Sequence, residues 1–367
     1  MIMMLFLTCF SFSIFFAWLA SHVKNKGVSI LCSIISILIP SILGGLRDEW
    51  VGVDVYSIPD MMRARNSDSF FSFIEYKGAI EIGYSLVCYV TMKTFDSVNW
   101  CFFVYLLIGV GCFYVGAYKH RDRASLPLML LLFFVRFYLS SYYLMRQCMA
   151  ISIIFMGIDN LEHKEYKKFL VYVLVAFTFH ASALAALMFC LVLHMFASKN
   201  FPYKKITIVI IIILTMFTRP ILTVILNLMH FDRYLTYVVA GKKLSSNVGG
   251  YTSLLIFHAC EYILLIMYPK GAKKLLGDDN VEYYKYNIVL SFIFYQVIRL
   301  MFRLAMYFEY INLIAVAALP YIMKDKKIRF LVWAAIIFAY LSHWFLGYIR
   351  SELGTRGASL EDFSFII

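Results

Sequence analysis

The sequence predicts an all-α fold, a bundle of membrane helices, from three observations. Hydrophobic residues make up 62% of the 367 positions, charged residues make up 15%, and the mean hydropathy is +0.77. A soluble domain carries about 25% charged residues, so this composition cannot cover a water-facing surface. The apolar runs are continuous rather than alternating, which favours helices over a membrane β-barrel. We therefore expect a polytopic bundle of about 11 or 12 membrane helices, some of them short or broken.

The candidate membrane helices follow the apolar runs in chain order. The runs lie at residues 1–20, 28–45, 98–118, 126–140, 146–161, 169–179, 183–197, 206–228, 251–268, 287–302, 306–323 and 330–349. Several of them are shorter than the roughly 20 residues that a helix needs to cross a bilayer. The eight cysteines all lie in apolar segments without a CxxC pair, so they are expected to be core residues rather than metal ligands or disulfides. No Pro-rich or Gly/Ser-rich linker interrupts the chain, which predicts a single membrane domain over 1–367.

Two kinds of connection join these runs, and they differ in basic charge. The short, Lys-rich connections are 21–27, 119–125, 162–168, 198–205, 270–285 and 324–329. The longer segments are 46–97, 229–250 and 350–367. Lys and Arg occupy 19 of 51 positions in the short set and 10 of 92 in the long set. By the positive-inside rule the short connections face the cytoplasm, so most of the +12 net charge reflects orientation and attraction to anionic lipid, and no nucleic-acid partner is expected.

The first long segment determines whether successive connections alternate between the two sides of the membrane. They alternate, with both termini outside, only if residues 80–95 do not cross the membrane. Ile82, Leu86 and Val90 form an apolar stripe there, accompanied by Glu81 and Lys93. This pattern is typical of a helix that lies in the membrane interface. We therefore expect 46–97 to be an outer loop with an interfacial helix, and 229–250 to be a second outer loop.

Arginines near the outer ends of membrane helices are candidates for binding an anion. Ionisable groups in membrane helices are costly unless they are paired or lie in a hydrated cavity. Arg299 and Arg303 lie one helical turn apart, where two cations repel each other and a phosphate between them reverses that repulsion. The alternative is that one extends to the interface while the other pairs with Glu309 or Glu261.

Further candidates lie on two neighbouring outer turns. Arg146 starts the helix after the segment SSYYLM, and Gln147 beside it adds a neutral donor and acceptor. For Arg146 the alternative is simple extension to the interface. His180, in TFHASAL, is either a catalytic base or a hydrogen-bonded histidine at a helix break, with Ser182 capping the next segment. His258 and Glu261, spaced i and i+3, are expected to form a hydrogen-bonded pair rather than a metal site.

The segment GGLRDEWVGVDVYS, residues 44–57, has the highest density of polar side chains where the chain leaves the membrane. Its polar side chains are Arg47, Asp48, Glu49, Asp54 and Tyr56. A general base for a hydroxyl nucleophile must be a carboxylate or histidine that reaches the reacting oxygen. The three carboxylates supply candidates, and Arg47 either orients one of them or binds an anion. The alternative is an ordinary polar loop.

Five sequence blocks, taken together and in order, resemble the EpsG-like branch of the Wzy-type polysaccharide polymerases. The blocks are LRDEWVGVDVY at 46–56, EIGYSLV at 81–87, YYLMRQCMAISIIF at 142–155, FHASALAAL at 179–187 and RLAMYF at 303–308. The resemblance implies a bacterial inner-membrane enzyme with a fold related to the GT-C glycosyltransferases. It also implies that 46–97 and 229–250 are periplasmic, and that the active site faces the periplasm. The stretch HFDRYLTY at 230–237 departs from the motifs of the family.

The resemblance also implies a reaction. A growing glycan on undecaprenyl diphosphate would be transferred to the terminal sugar of another lipid-linked repeat unit, producing O-antigen, capsule or exopolysaccharide. Matched to the family pattern, the implied site residues are Arg47, Asp54, Arg146, His180 and Arg303. Because charge develops on phosphate oxygens during this transfer, fixed guanidinium groups suit it without a metal or other cofactor.

The resulting hypothesis assigns roles to eleven residues. The catalytic candidates are His180, Asp54 and Asp48; the diphosphate-binding candidates are Arg47, Arg146, Arg299 and Arg303; the substrate-lining candidates are Gln147, Tyr56, Ser182 and Tyr307. The expected partners are the lipid-linked donor and acceptor, the bilayer, and a chain-length regulator in some systems. Two alternatives remain open: a flippase or transporter of the same lipid-linked oligosaccharide, and a membrane O-acyltransferase that uses His180 as its base.

Overall fold

The computed structural model describes residues 2–49, 51, 57–77, 81–184, 194, 197, 224, 249–296 and 302–349. All regular elements in these ranges are helices. Five of the helices there are long and apolar enough to cross a membrane. The predicted all-α, polytopic membrane fold is thus confirmed. The predicted helix at 206–228 and the loop at 229–250 fall almost wholly outside the described residues.

The chain begins with two antiparallel helices, α1 (Ile2–His22) and α2 (Lys26–Gly45). The Asn25 side chain caps α2 by accepting hydrogen bonds from the amides of Gly27 and Val28, which satisfies two orphan donors of the first turn. Midway along the pair, the hydroxyl of Ser13 donates to the carbonyl of Ser36 at 2.6 Å, and Ser36 returns a hydrogen bond to Ser13 at 2.8 Å. Such small hydroxyl residues allow membrane helices to pack closely while pairing their polar groups.

The first long segment folds into three helices, α3 (Ser57–Asn66), α4 (Phe70–Lys77) and α5 (Ile82–Phe95). Residues 82–95 are therefore helical, as the sequence predicts. At 14 residues α5 is about 21 Å long, which is too short for the roughly 30 Å hydrocarbon core. Its placement in the membrane interface remains a prediction. Met61, Phe73 and Cys88, all fully buried, belong to one apolar cluster that joins α3, α4 and α5.

A tightly packed group of helices follows. It comprises α6 (Val98–Lys119), α7 (Leu126–Phe133), a π-helical turn (Phe134–Tyr138), α8 (Ser140–Tyr143), α9 (Met145–Glu162) and α10 (Tyr166–Phe179). The predicted run 126–140 is thus interrupted by a change of helix type. π-helical turns of this kind occur frequently near functional sites. Here the turn contains Arg136 and Tyr138.

The C-terminal helices are α11 (Gly249–Met267), α12 (Pro269–Leu276), α13 (Asp278–Gln296), α14 (Phe302–Ile322) and α15 (Lys326–Ile349). They agree with the predicted runs 251–268, 306–323 and 330–349 to within a few residues. The chain divides into two compact units, Met1–Leu187 with Ala334–Ile367, and Met188–Trp333. The single membrane domain over 1–367 remains a prediction.

Candidate functional site

Arg47 lies directly after α2 and is almost completely buried, at 1% exposure. Its guanidinium carbon is 3.9 Å from the ring centre of Phe102 and 4.2 Å from that of Tyr142, so two aromatic rings contact the cation. Its Nε and Nη1 atoms are buried and have no hydrogen-bond partner among the described residues. Burial lowers the pKa of Arg47 to about 10, which still leaves the group charged at neutral pH. Arg47 is therefore a buried cation with two donor atoms, Nε and Nη1, that no described residue accepts from.

The position of Arg47 follows from close packing of α2 against α6. A Cβ atom on Gly44 would lie 2.0 Å from Leu106 Cδ1, and one on Gly45 would lie 2.8 Å from Phe103 Cβ. Gly45 is therefore required for the two helices to approach so closely, whereas the flexible end of the Leu106 side chain can move away from a Cβ atom on Gly44. The Asn99 side chain then donates to the carbonyl oxygens of both Gly45 and Arg47, each at 2.8 Å. This amide fixes the backbone that presents Arg47.

A second polar group is centred on Glu81, the residue that precedes α5. Glu81 Oε2 accepts a hydrogen bond from Arg146 Nη1 at 2.7 Å. The other carboxylate oxygen, Oε1, lies 4.0 Å from His180 Nε2. The side chains of Arg146, Glu81 and His180 are 20%, 11% and 21% exposed, so the group is largely withdrawn from solvent but reachable. Glu81 thus joins two residues that the sequence analysis had singled out separately.

The hydrogen bonds of His180 identify its tautomer. Its Nδ1 accepts the backbone N–H of Ser182 at 3.1 Å and lies 2.7 Å from the Ser182 hydroxyl. Because Nδ1 is an acceptor, the proton of the neutral ring is on Nε2, the nitrogen that faces Glu81. His180 follows the last residue of α10 with extended backbone angles, as expected for a helix break. The sequence predicts that Ser182 caps the following segment. In the structure both its hydroxyl and its backbone N–H lie against the His180 imidazole.

The contact between Glu81 and His180 depends on the fit of α5 against α10. A Cβ atom on Gly83 would lie 2.3 Å from Thr178 Oγ1 and 3.0 Å from Thr178 Cβ. Glu81 itself has a positive φ of 66°. Non-glycine residues adopt this conformation at a cost of about 1–2 kcal/mol. The local conformation of the chain thus directs this carboxylate towards Arg146 and His180.

An aromatic ring also lies beside Arg146. Its guanidinium carbon lies 5.2 Å from the ring centre of Tyr84. The Tyr84 ring stacks on that of Tyr105, with centres 5.2 Å apart, and the Tyr105 hydroxyl donates to the Tyr84 carbonyl at 3.0 Å. Arg47 and Arg146 therefore both lie beside aromatic rings, which exclude water from the cations without neutralising them.

The structure describes most, but not all, of the residues predicted for the site. Arg47, Asp48, Arg146, Gln147, His180 and Ser182 belong to the first compact unit, and Gln147 is buried. Asp54, Tyr56 and Arg299 lie outside the described residues. Arg303 is exposed in the first turn of α14, and Tyr307, one turn further, is buried. Glu81 is a site residue that the sequence prediction does not include. Its position at the start of the block EIGYSLV is the feature of the sequence that indicates it.

The second unit contains a separate buried group around His258. His258 Nδ1 lies 3.0 Å from Glu261 Oε2, so the predicted hydrogen-bonded pair is confirmed. His258 Nε2 lies 3.4 Å from Glu309 Oε1 on α14. All three residues are at most 5% exposed. This imidazole thus links α11 to α14.

A model of the EpsG family matches residues 30–355, which is most of the chain. No curated protein and no solved structure matches.

Proposed function

Because the chain belongs to the EpsG family, whose members are membrane proteins of the polysaccharide-polymerase type, we propose that it polymerises a lipid-linked glycan. In this proposal a growing glycan passes from undecaprenyl diphosphate to the terminal sugar of another lipid-linked repeat unit. The reaction takes place at the periplasmic face of the bacterial inner membrane. The observation that carries the proposal is Arg47, a buried guanidinium whose Nε and Nη1 donate to no described residue.

A diphosphate would supply hydrogen-bond acceptors for Nε and Nη1 of Arg47. A buried donor without a partner costs about 1–3 kcal/mol, and a phosphate oxygen accepting from Nε or Nη1 removes that cost. The aromatic contacts of Phe102 and Tyr142 keep the guanidinium charged and poorly hydrated, which strengthens its attraction for an anion. The headgroup of the donor lipid is such an anion.

The bond changes assign the arginines to the leaving group. The bond between the anomeric carbon of the donor and a phosphate oxygen breaks, and that oxygen leaves with the electron pair. The acceptor hydroxyl oxygen bonds to the anomeric carbon and loses its proton. Negative charge develops on the departing diphosphate, so fixed cations stabilise the transition state more than the ground state. We assign Arg47 and Arg146 to this charge, with Arg299 and Arg303 as further candidates.

The acceptor proton is best assigned to Glu81. The His180 lone pair on Nδ1 is taken by Ser182, so this ring faces the site as an N–H donor rather than as a base. Glu81 Oε1 lies 4.0 Å from that donor, and the hydrogen bond from Arg146 Nη1 goes to the other carboxylate oxygen, Oε2. A carboxylate in this position can accept the proton while Arg146 holds it in place. Asp48 and Asp54 remain alternative bases.

Reconstitution of the full chain in liposomes with a lipid-linked repeat unit tests the proposal. The wild type should convert the substrate into a ladder of longer glycans without added metal or nucleotide sugar. Arg47→Ala should abolish long chains, and Arg47→Lys should recover only a little because the ammonium lacks the planar fork. Arg65→Ala is the matched control, because Arg65 is exposed and pairs with Asp96 on the same outer segment.

Two outcomes would overturn the proposal. Unchanged substrate moved across the bilayer would identify a flippase. An acyl group transferred to the glycan without chain growth would identify an O-acyltransferase. Wild-type ladders from Arg47→Ala would remove the role assigned to that residue.

A further inference from the structure

A second cluster of titratable side chains lies at the far end of the α6–α9 helix pair from Arg146. His120 follows the last residue of α6, Glu162 is the last residue of α9, and Asp159 precedes it by one turn. One ligand atom from each of the three lies within 4.8 Å of the others. The 16 residues from Arg146 to Glu162 place the cluster about 24 Å from Arg146 along the helix axis. It is therefore separate from the proposed catalytic group.

The imidazole of His120 is oriented by the backbone. Its Nδ1 lies 2.7 Å from the carbonyl oxygen of Gly116, which requires a proton on Nδ1. In the neutral ring the other nitrogen, Nε2, then carries a lone pair. Histidines that bind metal ions commonly have one ring nitrogen held by a carbonyl in this way and the other directed at the metal.

The nitrogen that remains faces a carboxylate. His120 Nε2 lies 3.0 Å from Glu162 Oε2, and the two side chains are 0% and 1% exposed. Unless Nε2 is protonated, two acceptor atoms at this distance repel each other, and a cation between them or beside them removes the repulsion. Neighbouring ligand atoms about 2.1 Å from one metal ion are roughly 3.0–3.4 Å apart, so a separation of 3.0 Å suits two ligands of one ion as well as a hydrogen bond.

Charged neighbours surround the cluster. Arg123 Nη2 donates to Glu162 Oε2. The Arg123 side chain is 19% exposed and lies on the turn after α6. His163 Nδ1 lies 3.4 Å from Asp159 Oδ1, at the exposed edge of the cluster. Arg123 thus supplies the cation for Glu162 in this structure and would compete with any other.

We propose that His120, Asp159 and Glu162 bind one divalent transition-metal ion, with Zn²⁺ and Mn²⁺ as the ions that suit the donor set. One imidazole nitrogen and two carboxylate oxygens form a mixed N/O set of the kind these ions accept, with water completing the coordination. The bound ion ties the end of α6 to the end of α9. This proposal departs from the sequence analysis, which expects no metal, and it does not depend on the proposed polymerase activity.

Metal content tests the site directly. The purified full chain, carrying no polyhistidine tag, is stripped with a chelator, incubated with Zn²⁺, desalted and analysed by mass spectrometry for bound zinc. We expect one equivalent per chain for the wild type, and loss of that equivalent in His120→Ala and Glu162→Gln. His22→Ala is the matched control, since His22 is outside the cluster at the end of α1, and it should retain the ion. Equal zinc in the wild type and in His120→Ala would overturn the proposal.

A second variant separates metal binding from a structural ion pair. Arg123→Gln removes the cation that competes for Glu162, so the affinity for Zn²⁺ should rise about fivefold, the effect of losing one partly exposed charge interaction. An unchanged or weaker affinity would show that Glu162 is simply the partner of Arg123. Because Arg123→Gln keeps all three proposed ligands, this test stands even if His120→Ala does not fold.

Discussion

Glu81 makes two contacts at once, and they predict a specific kinetic effect of its substitution. Glu81→Gln keeps the size of the side chain but removes its charge and its capacity to take a proton. Arg146 loses its carboxylate partner and remains available for diphosphate, so the donor KM should stay the same or fall. Without the base, kcat should fall by about 10²–10⁴-fold. Initial rates of glycan extension at varied donor concentration measure both quantities.

The control for this experiment is Glu75→Gln, because Glu75 is exposed on α4 in the same outer segment and should leave the rates unchanged. A rise in the donor KM at constant kcat would contradict the assignment. It would show that Glu81 only holds Arg146 in place.

Substitutions of His180 and Ser182 should lower the rate by different amounts, because the backbone N–H of Ser182, and not only its hydroxyl, holds the His180 ring. Ser182→Ala removes the hydroxyl but keeps the N–H that bonds Nδ1, so the tautomer is preserved and the rate should fall less than about tenfold. His180→Ala removes the donor beside Glu81 and should lower kcat by about 10²-fold or more. Single-turnover rates compare the two, and equal losses would show that the hydroxyl itself takes part.

At the level of residues, the sequence predicts the charges but not their partners. Arg47, Arg146 and His180 are identifiable because an ionisable group near a membrane helix is costly and so marks a site. Glu81 lies in a segment that the sequence predicts to be interfacial, where a carboxylate has no such cost. Its partner Arg146 is 65 positions away, and only the packing of α5 reveals their contact.

Among the helices, the junction of α5 with α10 offers a test of how packing positions the site. Gly83→Ala places a Cβ atom 2.3 Å from Thr178 Oγ1, so α5 must shift, at a cost of about 1–3 kcal/mol. Glycan extension should fall because Glu81 moves with α5. Thermal unfolding and extension rates of the variant report the two effects.

Two further variants identify the cause. Gly83→Ala combined with Thr178→Gly should recover activity relative to Gly83→Ala, because the clashing side chain is gone, while glycine in α10 keeps the recovery of stability partial. Gly109→Ala is the matched control. Among the described residues its new Cβ atom meets only Met149 Cγ, at 3.8 Å, so the thermal stability of this variant should be unchanged or slightly higher. No recovery in the double variant would show that Gly83 matters for another reason.

The bounds of the helices show both what hydropathy predicts well and what it cannot predict. The apolar run 98–118 predicts α6, Val98–Lys119, almost to the residue, because hydropathy ends where charged residues begin. The run 126–140 is equally apolar, yet it contains a π-helical turn followed by a new helix at Ser140. Hydropathy reports burial in the membrane but not which carbonyl each amide reaches.

At the scale of the whole molecule, the distribution of Lys and Arg predicts which ends of the helices face the cytoplasm, and labelling can test it. Asp68, exposed between α3 and α4, should face the outside, and Lys324, exposed between α14 and α15, should face the cytoplasm. In intact spheroplasts a membrane-impermeant maleimide should label Asp68→Cys at once and Lys324→Cys only after permeabilisation. The unmodified chain gives the background from its native cysteines.

The orientation determines what the two proposed sites can meet. If Asp68 is outside, Arg47, Arg146 and Glu81 lie at the end of the bundle that meets lipid-linked glycans after they are delivered across the membrane. His120 and Glu162, at the opposite ends of α6 and α9, then meet the metal ions of the cytoplasm. The reversed labelling pattern would exchange these assignments and would contradict transfer at the periplasmic face, whichever residues carry it out.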